Sequence, residues 1–177
     1  RGQAIGQGLT AKYYQDHFDQ EPFLVRTDNS INFDWKSSTP AVGIPVDKFR
    51  VEWEGSIQFP ETNRYTFISE LDGKLSVTIN NNPIGDFKSP GSRKQSGFKF
   101  EADKWYEFRA NYHEESGNAK VSLMWESDSM ARQIIPSRAL RTFSQQENEA
   151  GRQSSLTTYQ VNGPGGRPRT PQLASGG

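Results

Sequence analysis

Apolar and polar residues alternate without interruption from Phe49 to Phe59. One face of this segment carries the side chains of Phe49, Val51, Trp53, Gly55, Ile57 and Phe59. The other face carries the side chains of Arg50, Glu52, Glu54, Ser56 and Gln58. A two-residue period over this length is typical of a β-strand with one buried face and one wet face. The segment therefore predicts a strand of an antiparallel sheet.

The same alternation returns in four later runs, each bounded by turn residues. The runs are Tyr65, Phe67 and Ser69; Leu75, Val77 and Ile79; Tyr106, Phe108, Ala110 and Tyr112; and Val121, Leu123 and Trp125. The polar segment from His113 to Asn118 contains a glycine and is interpreted as a hairpin connection. No helical period precedes Ser129. The pattern predicts an all-β, antiparallel β-sandwich in a single domain, with roughly ten short strands.

Composition divides the chain into three regions. Residues 1–7 are a polar leader, and residues 8–143 carry the predicted sandwich. Residues 144–177 are polar and contain Gly and Pro, so we expect a linker or a segment docked on a neighbouring surface. Because the chain starts at Arg1 without an initiator Met or a signal peptide, we expect a fragment or a processed product.

Composition also narrows the possible partners. Aromatic residues make up 12% of the 177 residues, and large flat side chains suit the space between two sheets. The 21 basic and 21 acidic residues cancel, which predicts no nucleic-acid partner. The chain has no cysteine, so disulfides, thiolate metal sites and cysteine nucleophiles are excluded. No apolar run approaches the ~18 residues of a membrane span, which predicts no direct membrane insertion.

Catalytic motifs are missing from the sequence. It has no Gly-x-Ser-x-Gly elbow, no phosphate-binding loop and no zinc-ligand spacing. The only histidines, His17 and His113, lie far apart along the chain. The acidic residues that a glycosidase would need all have ordinary solvent-face positions (Asp16, Asp19, Asp34, Glu52 and Glu54). We therefore predict that the chain is not an enzyme and has no catalytic residue.

Three long stretches resemble one known family. They are GLTAKYY with EPFLVRTDNSINFDW (8–35), FRVEWEGSIQFPETNRYTFISELDGKLSVTINN (49–81), and FEADKWYEFRANYHEESGNAKVSLMWES with IIPSRAL (100–140). Their order and spacing resemble the fourteen-kilodalton protective-antigen domain family, named for the amino-terminal module of the anthrax protective antigen. The resemblance covers about residues 8–143. It implies a twisted β-sandwich that forms one module of a larger secreted or surface protein.

Function and location are expected from this resemblance alone. Family members occur in binary toxins, glycosidases and adhesins, so we expect a non-catalytic module at an extracellular or cell-surface location. The first functional hypothesis is carbohydrate binding or adhesion with weak or no calcium dependence. The alternative is a structural or assembly domain of a large secreted toxin or cell-surface protein. The expected partners are a glycan or neighbouring domains of a larger protein.

The family's adhesins hold calcium with two adjacent Asp residues, and this sequence departs from that pair. The resemblance places Asp72 at the first position and Gly73 at the second, and a shift by one residue would pair Leu71 with Asp72. Either register leaves one carboxylate, whereas calcium takes six to eight oxygen ligands. Asp72 is thus the only weak calcium candidate, and we predict no cofactor and little stabilisation by calcium.

Two segments supply the tentative ligand-binding residues. The loop ELDGK contributes Glu70, Asp72, Gly73 and Lys74, and a long loop predicted from Asn80 to Gly97 contributes Asp86 and Phe87. Alternatives remain open for both segments. The first is also interpreted as a simple Asp-Gly turn in which Asp72 accepts backbone hydrogen bonds. In the second, Phe87 would fold back onto the sheet.

Overall fold

The computed structural model describes residues 7–144, and these residues form two antiparallel β-sheets packed face to face. The predicted all-β sandwich is confirmed. The predicted leader and tail lie outside the described residues, except for Gln7 and Ser144, and the domain boundaries therefore stay predictions. Among residues 7–144, no helix has the length and apolar character needed to cross a lipid bilayer.

Thirteen strands lie within the described residues. In chain order they are β1 (Leu9–Tyr14), β2 (Leu24–Asp28), β3 (Asn32–Lys36), β4 (Arg50–Gln58), β5 (Thr66–Asp72), β6 (Lys74–Ile79), β7 (Asn82–Lys88), β8 (Gly91–Gln95), β9 (Trp105–His113), β10 (Ala119–Ser122), β11 (Met124–Ser127), β12 (Met130–Ile134) and β13 (Leu140–Arg141). A single 3-10 turn at Ser137–Ala139 precedes β13.

The strands divide into two sheets. The first sheet has the order β2-β1-β4-β9-β6-β7, and β13 also pairs with β4. The second sheet has the order β12-β11-β5-β10-β3, and β8 also pairs with β5. The β4–β9 ladder is continuous from the Arg50–His113 pair to the Gln58–Trp105 pair. The strand predicted from the Phe49–Phe59 alternation is therefore a central strand of the first sheet.

Aromatic side chains fill the space between the sheets in two groups. One group surrounds Phe59, whose ring stacks on Phe100 with a centroid distance of 4.2 Å. Its other members are Tyr65, Phe67, Tyr106 and Trp125. The second group comprises Phe33, Trp35, Phe49, Trp53 and Tyr112. Trp53 and Trp125 are only 1% exposed, so they belong to the core and offer no platform for a ligand.

Two of the predicted connections are wrong. The long loop predicted from Asn80 to Gly97 contains β7 and β8, and the turn between β6 and β7 is limited to two residues of positive φ, Asn80 and Asn81. Polar GSRKQ shows no alternation, because β8 lies at the sheet edge with little buried surface. The predicted hairpin at 113–118 instead joins β9 of the first sheet to β10 of the second.

A buried carboxylate joins three aromatic and basic side chains between β1, β2 and β4. Asp28 accepts hydrogen bonds from the Tyr13 hydroxyl at 2.6 Å, from Trp53 Nε1 at 2.9 Å and from Arg26 Nε at 2.8 Å. Burial, followed by the charge of Asp28, raises the pKa of the Tyr13 phenol, so this hydroxyl remains a donor. Since Asp28 is 6% exposed, its charge depends on these partners.

We therefore expect Asp28→Asn to lower the free energy of unfolding by about 3 kcal/mol, because the amide cannot accept all three hydrogen bonds. Asp34→Asn is the matched control, since this carboxylate is 53% exposed and its one ion pair within residues 7–144 is with Lys36. Its effect should stay within about 0.5 kcal/mol. Urea unfolding of both variants measures the difference. Equal losses in the two variants would show that the Asp28 network adds no stability.

Candidate binding site on the first sheet

Strand register aligns four basic residues across the outer face of the first sheet. Lys88 lies opposite Lys74 in the β6–β7 pair, and Lys74 lies opposite His113 in the β6–β9 pair. His113 in turn lies opposite Arg50 in the β4–β9 pair. We call these four residues the basic row. Residues that lie opposite one another on neighbouring strands send their side chains to the same face of the sheet. The four basic groups are therefore close together.

A shallow depression of about 290 Å³ lies over part of this row. It is lined by Lys74, Leu75, Ser76, Asp86, Phe87, Lys88, Asn111 and His113. A second depression of about 250 Å³ adjoins it along β9 and shares Ser76 and Asn111 with it. Three basic residues and one carboxylate therefore line the first depression, and a continuous polar groove extends from it across the sheet.

The members of the basic row differ in their partners. Arg50 forms an ion pair with Glu52, donates to the Asp19 carbonyl at 2.8 Å and lies 3.7 Å from the Tyr14 ring centroid. Lys74 and Lys88 are exposed, and neither has a carboxylate within 4.0 Å among residues 7–144. The two lysines are therefore available to a ligand, whereas Arg50 is already engaged.

Two residues that line the depression each have a buried polar atom without a partner in residues 7–144. Asn111 Oδ1 and His113 Nε2 are both buried, and neither makes a hydrogen bond within the described part of the chain. Most buried polar groups in proteins are hydrogen-bonded. The amide of Asn111 can turn to present its NH₂ group instead of its oxygen. Both residues thus have unused hydrogen-bonding capacity beside the depression that they line.

The two histidines, far apart in the sequence, meet at the third position of the basic row, where His113 lies between Lys74 and Arg50. The rings of His17 and His113 stack with a centroid distance of 4.9 Å, and His17 Nε2 donates to the Glu114 carbonyl at 2.8 Å. Burial lowers the pKa of His113, and the nearby positive charges of His17, Arg50 and Lys74 lower it further. His113 is therefore neutral near pH 7, with one ring nitrogen free to donate or accept.

The structure brings together only part of the predicted ligand set. Lys74 and Asp86 both line the first depression. Phe87 is fully buried, so its side chain belongs to the core beneath the depression, in agreement with the alternative in which it folds back onto the sheet. Glu70 is exposed on β5, a strand of the second sheet. It therefore lies on a different sheet from Lys74 and Asp86.

Asp72 and Gly73 form the crossing from the second sheet to the first. Asp72 ends β5, Gly73 alone connects it to β6, and the Tyr112 hydroxyl donates to the Asp72 carbonyl. The Asp72 carboxylate accepts from Ser89 Oγ at 3.3 Å, a side-chain partner rather than the backbone donor expected for a simple turn. Gly73 has φ +109°, and an added Cβ would lie closer than 3.0 Å to the His113 carbonyl oxygen. Backbone geometry thus explains the glycine at this position.

Metal-binding side chains do not converge in the described residues, where no three His, Asp or Glu side chains form a group that could hold an ion. Asp72 has no second carboxylate beside it in the sequence. The weak response to calcium stays a prediction.

Sequence reasoning named Lys74 but missed its alignment with Lys88, His113 and Arg50, and it also missed Asn111 and the stacking of the two histidines. The alternation of β9 places Asn111 and His113 on the wet face, but this pattern does not say which residues of other strands lie beside them. That information comes from the register between β6, β7 and β9, which sequence periodicity leaves open.

Restoring the second family carboxylate with Gly73→Asp should lower the free energy of unfolding by at least about 3 kcal/mol, from backbone strain and the contact with the His113 carbonyl. Gly117→Asp is the matched control, because Gly117 has φ +81° and nothing within 4 Å of an added Cβ. We expect about 1 kcal/mol there. Thermal unfolding with and without millimolar calcium is the measurement. A rise of many degrees with calcium, in either the native chain or Gly73→Asp, would contradict this view of the site.

Stability should fall as the pH drops below the ordinary His pKa of 6.5, because the unfolded chain takes up a proton before the folded His113 does. This contribution is present above about pH 6.5 and is lost as the pH falls through the lower pKa of the folded state. His113→Gln should show a smaller decline in unfolding free energy between about pH 7 and about pH 5. Glu114, whose pKa burial raises, acts in the opposite direction and is unchanged in the variant. An NMR titration of the His113 ring with a midpoint at or above 6.5 would contradict the prediction.

The chain is similar in sequence and fold to proteins that carry the name anti-sigma factor. The chain is 32% identical over 136 residues to the anti-sigma-I factor RsgI3 of Acetivibrio thermocellus, an alignment that covers 75% of this chain and 21% of the relative. A solved anti-sigma factor domain-containing protein from Clostridium clariflavum matches with 29% identity and a TM-score of 0.70, over 77% of this chain and 47% of that one. A second solved protein of the same description matches with 28% identity and a TM-score of 0.72, over 79% of this chain and 48% of that one. The chain thus spans about a fifth of the curated relative and about half of the solved ones.

These matches correct two expectations. Carbohydrate binding or adhesion, and the alternative of a toxin or cell-surface assembly domain, were predicted as the function. The relatives at 28–32% identity are instead anti-sigma factors, which are regulators by name. The extracellular or cell-surface location was inferred from the same adhesins and toxins, and it is set aside for the same reason.

More distant matches extend the fold to sugar-binding proteins. A PA14 sugar-binding domain from an RTX adhesin superposes with a TM-score of 0.59 at 13% identity, over 77% of this chain and 99% of that one. At this identity the likeness shows the shared fold alone. The family model of the PA14 domain matches residues 6–139, which include every strand except β13. Because this model covers three quarters of the sequence, the chain belongs to the PA14 domain family.

Proposed function

We propose that this PA14 domain, of the protective-antigen type inferred from its motifs, is a non-catalytic regulatory module of an anti-sigma-factor protein. The module binds a ligand or a neighbouring domain and thereby changes how the rest of that protein acts on its sigma factor. The observation that carries the proposal is the 32% identity to RsgI3 over 136 residues, because the aligned length matches that of the sandwich.

The difference in identity between the two kinds of relative supports this choice. The solved anti-sigma factor proteins are 28–29% identical to the chain, whereas the sugar-binding RTX adhesin domain is 13% identical. A fold that supports several functions does not by itself choose among them. The anti-sigma factor proteins share with this chain more of its residues, and not only its fold, than the adhesin domain does. This difference favours a regulatory role.

The outer face of the first sheet supports a binding role rather than a catalytic one. The depression holds a single carboxylate, Asp86, whereas glycoside hydrolysis needs an acid and a second carboxylate facing each other. Its open shape leaves a reacting bond exposed to water. Unpaired lysines beside unpartnered polar atoms are instead suited to binding without chemistry.

A transcriptional reporter in cells that express the intact parent protein tests the role. Its promoter should depend on the sigma factor that the parent protein controls. Deleting residues 8–143 should change reporter output by about fivefold or more, because the module's coupling to the sigma-binding part is lost. Asp28→Asn should move the output in the same direction, and the matched variant Asp34→Asn should not. Unchanged output after deletion, at equal levels of the parent protein, would refute the regulatory role.

A further inference from the structure

Two lysines face each other on the outer surface without neutralising partners. Lys74 and Lys88 are directly opposite residues of an antiparallel pair, and His113 is directly opposite Lys74 on the other side. Like charges in such positions destabilise a sheet. By contrast, Lys12 and Arg109 on the same face both contact Glu54, at 3.4 and 3.0 Å. The Lys74–Lys88 pair therefore differs from these neutralised charges on the same face.

The atoms around the two lysines are suited to an acceptor-rich group. Lys74 and Lys88 each carry three N–H donors. The lining residues Asn111 and His113 each have a buried polar atom, Oδ1 and Nε2, that makes no hydrogen bond within residues 7–144. The depression of about 290 Å³ is large enough for a small ligand group and remains open to solvent. Charge-assisted hydrogen bonds from ammonium groups to a carboxylate or phosphate are among the stronger polar contacts.

We propose that this depression binds the oxyanion group of a ligand, a carboxylate or a phosphate, held between Lys74 and Lys88 and hydrogen-bonded by Asn111 and His113. The proposal deepens the regulatory role, on which its biological meaning rests, by naming the ligand class that the domain recognises. The binding itself stands or falls independently of that role.

Other ligand classes fit the depression less well. A cation would meet only Asp86, against two lysines. A long polyanion such as nucleic acid needs an extended basic surface, whereas the chain has no net charge and Glu52 and Glu54 line the adjoining depression. A compact oxyanion is instead suited to a site that has two adjacent lysines, Lys74 and Lys88, as its exposed cations.

His113 supplies a direct signature of occupancy. The charged groups that act on it are His17, Arg50 and Lys74, which disfavour its protonation, and Glu115, which favours it. An oxyanion next to Lys74 would offset the positive charges, so binding should raise the pKa of His113. Simple filling of the depression by an uncharged molecule would not have this effect.

The experiment is an NMR titration of the ¹⁵N-labelled chain with sodium malonate and, separately, with sodium phosphate. Sodium chloride at matched ionic strength corrects for screening. We expect saturable shifts in the amides of Lys74, Lys88, Asn111 and His113, and a higher midpoint for the His113 ring. Lys74→Gln and Lys88→Gln together should weaken binding by about tenfold or more, because both ammonium contacts are lost.

Lys99→Gln is the control, since Lys99 is an exposed lysine outside the depression and its loss removes one positive charge, as each of the single substitutions Lys74→Gln and Lys88→Gln does. It should leave the dissociation constant within about twofold of that of the native chain.

Saturation with malonate alone or with phosphate alone would support the proposal and identify the oxyanion. Linear shifts spread over all lysines, no response to either probe, or equal weakening by Lys99→Gln would overturn it. Specific binding together with an unchanged reporter would refute the regulatory role and leave the oxyanion site in place.

Discussion

The antiparallel register of β4, β9, β6 and β7 determines both the core and the outer surface of this domain. Each residue pair in these ladders sends its side chains to the same face. The pairs that bury Trp53, Phe108 and Tyr112 alternate with the pairs that align the basic row. A shift of one residue in any ladder would expose the aromatic groups and scatter the lysines. The stability of the fold and the arrangement of the candidate site therefore depend on the same hydrogen-bonded pairs.

Sequence reasoning predicted the parts of this structure that depend on local periodicity. The strand through Trp53 and the burial of Trp53 and Trp125 follow from alternation alone, because an aromatic interior and a charged exterior repeat every two residues. Edge strand β8 was missed because it buries little and so carries no such signal. The connection from β9 to β10 was misassigned because turn residues mark a change of direction without specifying which sheet receives the next strand.

The candidate site was predicted only in part, for a physical reason. Lys74 and Asp86 were proposed from separate loops, and the structure brings both to one depression. Their neighbours Asn111 and His113 come from a strand about 25 residues further along, as do many partners in non-local β-topologies. Local patterns identify which residues of a strand face solvent. Which of these residues lie beside one another on different strands is determined by long-range strand pairing. Phe87 was included because it lies in a presumed long loop, whereas the structure places it on β7 with its side chain in the core.

The crossing at Gly73 also limits how this domain can change over evolutionary time. One codon change would introduce the missing acidic residue, but the intermediate protein would have to fold against a collision with the carbonyl of His113. The segment after β9 would first have to move, and that segment also positions the stacked imidazoles. A lineage that carries this glycine therefore needs at least two coordinated changes before two adjacent acidic residues can occupy this crossing. New ligand preferences are more accessible through substitutions on the open face of the first sheet, where side chains can be exchanged without moving the backbone.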